Sequence, residues 1–136
     1  MRAMKNPTLR LLIPFDGSDH ALRACRYATR LSQCRAHLKC FLLYVSASGS
    51  VEANAQEAES VFEAARRALT GFGMRLSTCH LAGDVSSTII KYAEEVECDV
   101  IVMGTRSMGL ALGTITFGSV ASAVAADSKV PVTLVK

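Results

Sequence analysis

Leu9-Arg10-Leu11-Leu12-Ile13-Pro14-Phe15-Asp16-Gly17-Ser18 is a nearly continuous apolar run broken by an acidic, glycine-bearing turn. A strand exposed on one face alternates apolar and polar residues; a strand buried on both faces does not. Residues 9–15 therefore read as a central strand of a parallel sheet, covered by helices above and below. The residues after the turn fit that reading. From about His20 to Ser32, apolar residues recur at Ala21, Ala24, Cys25, Ala28 and Leu31, a helical period.

Outward from this unit the alternation repeats. Leu38 to Val45 is a second buried strand, followed by a loop of small polar residues from Ser46 to Ser50. Val51 to Leu69 is Ala- and Glu-rich with Val61, Ala64, Ala65, Ala68 and Leu69 on one side, a helix stopped by Gly71 and Gly73. Met74 to Leu81 alternates, with Arg75 and Ser77 between Met74, Leu76 and Thr78, which suits a sheet edge. A helix follows from about Ser86 to Glu97, with Asp84 or Ser86 as its cap. Asp99 to Met103 is the fourth strand, Gly104 to Phe117 a long glycine-containing segment, and Gly118 to Ser128 a small-residue helix. Val130 to Val135 is a fifth strand, and Pro131 near its start fits an edge.

Five strands alternating with four helices predict an α/β fold: one doubly wound parallel sheet with helices on both faces and right-handed crossovers. The third and fifth strands have the weakest patterns. Placing them at the edges gives order 3-2-1-4-5, the flavodoxin-like arrangement. A chain of 136 residues suits one domain, residues 1–136, with no repeat and no linker.

Composition narrows the function classes. Half the residues are apolar, which excludes a disordered chain. No run approaches the ~18 apolar residues of a membrane span. The apolar stretch Leu11 to Phe15 behind Arg2, Lys5 and Arg10 is too short for a signal sequence, so the protein reads as cytoplasmic with no membrane partner. The net charge of +3 and the lack of Trp argue against nucleic acid as a partner. Arg23, Arg26 and Arg30 recur at helical spacing and read as one wet helix face. Cys25, Cys34, Cys40, Cys79 and Cys98 form no CxxC pair and read as small buried hydrophobes. His20, His37 and His80 lie far apart, so no metal held by side chains is expected.

In an open parallel sheet, ligands bind beyond the carboxyl ends of the strands, where the strand order reverses. For order 3-2-1-4-5 that point lies between strands one and four. Two segments are thereby singled out: Asp16 to Ser18, and Gly104 to Ser119. The helix opened by Gly118-Ser119 has no carboxylate in its first turn, so its free N–H groups and dipole suit a phosphate. The helix after strand one carries Asp19 at its start and would repel one, which leaves Asp16 for a sugar or base. His20 begins that helix, placed either to face the cleft or, as the preferred reading, to stand exposed at the helix start.

The chain resembles the universal stress protein family over essentially its whole length. The matching pieces are Pro14-Phe15-Asp16-Gly17-Ser18, Leu43-Tyr44-Val45, Gly83-Asp84, Asp99 through Arg106, Gly118-Ser119-Val120 and Val130 through Val135. The resemblance implies a fold akin to the adenine nucleotide alpha hydrolases and one universal stress protein domain. It implies an ATP site in which Pro14, Asp16 and the backbone at Val45 meet the adenosine. Met103 and Gly104 would lie along the nucleotide. Gly118 and Ser119 would hold the phosphates, with Mg2+ or Mn2+ carried on them, and Arg106, Ser107, Gly109 and Val120 would complete the nucleotide site, Ser107 either blocking the phosphate with its Cβ or donating to it from its hydroxyl. It implies a homodimer paired through Val130–Val135. That strand is apolar and at a predicted sheet edge, where Thr133 reads as a central donor awaiting a partner. The sequence departs from the family signature G-x2-G-x9-G-[ST] at Ser107, and ten residues separate Ser107 from Gly118; starting from Gly109 leaves eight. Two other readings stand beside nucleotide-dependent signalling. One is an interaction module without a ligand, which the Ser107 departure favours. The other is a slow ATPase, against which the sequence offers no general base near the phosphates. A flavin site has only Phe15 and Phe117 to flank the ring, and no cysteine falls in the site loops to serve a redox role.

Overall fold

Strand β1 (Leu9–Pro14) lies at the centre of a five-stranded parallel sheet. It pairs with β2 (Leu38–Ser46) on one side and β4 (Val100–Gly104) on the other. β3 (Arg75–Ala82) flanks β2, and β5 (Val132–Val135) flanks β4. The resulting order β3-β2-β1-β4-β5 is the one expected from the weakness of the third and fifth strand patterns. Helices α1 (Asp19–Cys34), α2 (Ala55–Ala68), α3 (Val85–Glu95) and α4 (Ser119–Asp127) make the crossovers. The computed structural model describes residues 8–34, 36–69, 75–105 and 118–136. The expected helix stop at Gly71 and Gly73 and the strand start at Met74 lie outside these residues, as does Phe117.

Successive side chains of a strand point to opposite faces, so β1 feeds two cores. Leu11, Ile13 and Phe15 pack with Ala21, Ala24, Cys25 and Ala28 of α1 and with Phe62 and Ala65 of α2. Leu12 packs on the other side with Phe41, Leu43, Ile101 and Met103, under Ile89 and Ala93 of α3 and Val124 of α4. Leu11, Leu12 and Ile13 are 0% exposed, which is why the run shows no polar alternation. Burying each contributes about 1.5–3 kcal/mol.

The edges add detail on β3 and correct the sequence reading on β5. On β3 it is Cys79 and Leu81 that pack into the α3–α4 core, whereas Leu76 points to the other face and is 37% exposed. Helix α2 lies against α1 and β2, so the outer part of that face has little cover. On β5, the Pro131 carbonyl accepts from Ile101 N and the Val135 carbonyl from Thr105 N, both at 2.9 Å. Inward and outward backbone groups alternate along a strand, so Thr133 also faces β4. The amides of Val132 and Leu134, not of Thr133, line the free edge.

Candidate functional site

The turn after β1 builds one wall. Asp16 Oδ1 accepts from Ser18 N at 3.0 Å, and Gly17 between them has φ +85, a conformation that side chains rarely tolerate. Ser18 Oγ donates to Asp16 Oδ1 at 2.5 Å and lies 3.0 Å from His20 Nε2. Because the hydroxyl has one hydrogen and gives it to the carboxylate, His20 Nε2 must be the donor to Ser18 Oγ. The imidazole is thereby fixed through Nε2, and its Nδ1 is left as the second functional nitrogen.

The opposite wall comes from β4 and α4. Gly104 ends β4 where α1 passes over it. A Cβ built on Gly104 would stand 1.9 Å from the His20 carbonyl oxygen, so only glycine lets the helix start sit this close to the strand. Gly118 is the N-cap of α4 and has no side chain to satisfy the first turn, where no acidic residue lies. By helix geometry the N–H groups of Ser119, Val120 and Ala121 have no intrahelical acceptor. The other helix starts are different: Asp19 opens α1, Glu57 lies in the first turn of α2, and Asp84 caps α3 through Ser87 N.

Between the walls is a cleft of about 170 Å³ on the α3–α4 side of the switch point. It is lined by Pro14, Phe15, Asp16, Leu43, Val45, Met103, Gly104 and the α4 start from Gly118 to Ala121, with Val85 and Ile89 of α3 as an apolar floor. Of the sequence-predicted site residues, Pro14, Asp16, Val45, Met103, Gly104, Gly118, Ser119 and Val120 meet here. Arg106, Ser107 and Gly109 lie outside the described residues. A shallower recess continues past Ser119 toward Asp84 and Ser86.

Two residues stand elsewhere than expected. His20 is half-buried and lines the cleft rather than facing solvent. Arg23 does not share the wet face of Arg26 and Arg30, which are exposed; it is half-buried, with Nη2 3.4 Å from the Thr105 carbonyl and Nε buried without a hydrogen-bond partner. Both corrections have one cause. The face of α1 that packs on Gly104 includes positions 20 and 23, and that packing joins segments too far apart in sequence for periodicity to report. The cysteines divide: Cys25, Cys40 and Cys98 are buried, Cys79 is half-buried and Cys34 is exposed.

A second polar cluster occupies the α1–α2 side of the same sheet end and was not signalled by any motif. Ser46 Oγ and His80 Nε2 are 2.5 Å apart, and the His80 ring lies 5.1 Å from that of Tyr44. Burial, then Glu57 and Asp16, raise the Tyr44 hydroxyl above the ordinary tyrosine value. Strand register brings these residues together, since Tyr44 lies opposite His80 across β2 and β3. Tyr44, Ser46 and His80 do not line the cleft.

The chain matches the model of the universal stress protein family over residues 8–136. A universal stress protein encoded in the QAH/OAS sulfhydrylase 3'region of Thermus aquaticus is 34% identical over 139 residues, covering 93% of this chain and 97% of that one. Among solved structures, hypothetical protein MJ0577 superposes with a TM-score of 0.78 at 25% identity, covering 94% of this chain and 95% of that one. The universal stress protein from Archaeoglobus fulgidus in complex with dAMP superposes with a TM-score of 0.73 at 21% identity, covering 97% and 100%. With the switch-point cleft, the strand order and a family match spanning nearly its whole length, the chain belongs to the universal stress protein family.

Proposed function

We propose that this protein binds an adenine nucleotide, ATP with a divalent cation, in the cleft between the ends of β1 and β4. The observation that carries the reading is the pairing within one cleft of Asp16 with the uncapped, acid-free start of α4 at Gly118-Ser119. Asp16 has Oδ2 free of the turn and can accept from the sugar or base. Val45 offers backbone to the base, and Ile89 and Val85 give it an apolar bed. The α4 amides face negative charge with a favourable dipole. Mg2+ or Mn2+ would be carried on the phosphates. The dAMP complex of the Archaeoglobus relative supports an adenine ligand for a cleft of this fold. Acting in a stress response, through signalling or protein contacts, is the role that fits such a nucleotide-binding site.

Calorimetry with ATP–Mg on the wild type and on Gly118→Val tests this. The branched Cβ would intrude where the phosphates meet α4, so binding weakens at least tenfold. No heat and no thermal shift at millimolar ATP on the wild type would refute it.

The Asp16–Ser18–His20 chain favours a second reading, a slow ATPase with His20 Nδ1 as base. Phosphate release lost in His20→Asn while ATP still binds would establish it. We also propose a homodimer through β5. Two copies related by a two-fold axis would pair these edges and satisfy the outward amides of Val132 and Leu134. Leu134→Pro removes an outward donor and should yield a monomer by light scattering; a wild type that is already monomeric would refute the interface.

A further inference from the structure

We infer that Arg23 is the fixed cation for the distal phosphates, so that the cleft selects nucleoside di- and triphosphates over monophosphates. The inference rests on the adenine-nucleotide reading above. Arg23 lies one turn beyond cleft-lining His20 on α1, and the two share the face that meets the end of β4. His20 presents its carbonyl to Gly104, and Arg23 reaches the carbonyl of Thr105 through Nη2 at 3.4 Å. That bond is long, and Nε is buried with no partner. Among the described residues no carboxylate pairs with Arg23, not even Asp19 four positions earlier on α1. The residues outside the description contain no Asp or Glu, so they hold no side-chain counter-ion either.

An arginine stays charged at any physiological pH, and a half-buried guanidinium without an anion is an unfavourable arrangement. Arg26 and Arg30, on the same helix, are exposed and need no such partner. An anion from outside the chain would complete the arrangement at Arg23. The neighbouring cleft supplies the place. Gly104, the residue before Thr105, lines it, and so does the acid-free start of α4. A phosphate held by the Ser119 and Val120 amides needs no help from Arg23. A chain of two or three phosphates running on toward the end of β4 brings its terminal charge to the guanidinium.

The test is calorimetry with adenosine, AMP, ADP and ATP, each with magnesium, on wild type, Arg23→Gln and Arg23→Lys. In the wild type ADP and ATP bind more tightly than AMP. Arg23→Gln lowers ATP affinity about 10- to 100-fold, as expected for loss of a charge-assisted bond, while AMP and adenosine stay within about twofold. Arg23→Lys restores part of the loss. Because the charge has no anion without nucleotide and its bond to the Thr105 carbonyl is long, ligand-free Arg23→Gln melts no lower than wild type. Equal losses for adenosine and ATP, a lower ligand-free melting temperature, or a change of oligomer size in Arg23→Gln would overturn the inference and assign Arg23 to packing or to a partner subunit. A wild type that binds all four equally overturns it alone. A wild type that binds none overturns it together with the nucleotide reading.

Discussion

Gly104→Ala adds a single methyl group at the junction of β4 and α1. Its Cβ would lie 1.9 Å from the His20 carbonyl oxygen and 2.3 Å from the carbonyl carbon. Both are backbone atoms at the start of a helix, so no side chain can rotate away. To reach ordinary contact the helix start must retreat by roughly 1.5 Å, given carbon–oxygen contacts near 3.4 Å. That retreat would loosen Ala21, Ala24 and Cys25, which are 3%, 0% and 0% exposed. Overpacking of this kind costs about 3 kcal/mol, the upper part of the usual range. For a domain of this size the melting temperature falls by roughly 10 °C. Urea unfolding followed by far-UV circular dichroism measures the first quantity and a thermal melt the second. The same retreat moves His20 away from the cleft, so nucleotide affinity should fall with stability. A variant within about 0.5 kcal/mol of wild type would refute the claim that α1 is pinned on Gly104.

Arg10 donates from Nε and Nη2 to the Val96 carbonyl, at 3.0 and 2.6 Å, and lies 4.9 Å over the Phe41 ring. Arg10→Gln should cost about 1–2 kcal/mol and speed hydrogen exchange in the last turn of α3; unchanged exchange there would refute this cap. The Asp84 carboxyl is held below the usual carboxylate range by the Ser87 hydroxyl, then by the Ser87 amide and the Ser86 hydroxyl. A lowered native pKa gives stability that is present above the unfolded value, near 3.9, and lost as pH falls through the native one. Urea midpoints should therefore decline more steeply below about pH 4 in wild type than in Asp84→Asn, and parallel curves would contradict the cap. Burial pushes the Cys25 thiol up to about 12 and the Cys98 thiol to about 11, and raises Cys40 too. A disulfide reagent at pH 8 should label exposed Cys34 first and reach these three only on unfolding.

Continuous apolar runs made the central strands plain, because a strand covered on both faces has nowhere to put a polar residue. The edge order followed from the alternation in β3 and from Pro131 near the start of β5. The cleft followed from order alone, since the switch point depends only on which strands neighbour β1. Which apolar residues of β3 are covered was not legible, because the cover of Leu76 depends on where α2 lies, which the strand pattern does not encode. Thr133 was misread because the facing of backbone groups is set by register with β4, not by side-chain type. His20 meets Gly104 and Arg23 meets Thr105 across more than eighty residues of sequence, and Ser46 meets His80 only through strand pairing. Helical spacing grouped Arg23 with Arg26 and Arg30, yet 3.6-residue periodicity gives a face and not what that face touches.

The central claim is that an adenine nucleotide occupies the cleft between Asp16 and Gly118-Ser119. Amide chemical-shift mapping by NMR, with ATP–Mg titrated into isotope-labelled protein, tests it most directly. The account predicts saturable shifts at Asp16, Val45, Gly104, Ser119 and Val120, with Leu76 and the amides of β3 beside it unmoved. No shifts at millimolar ATP, or shifts centred on Tyr44, Ser46 and His80 across the sheet, would contradict it.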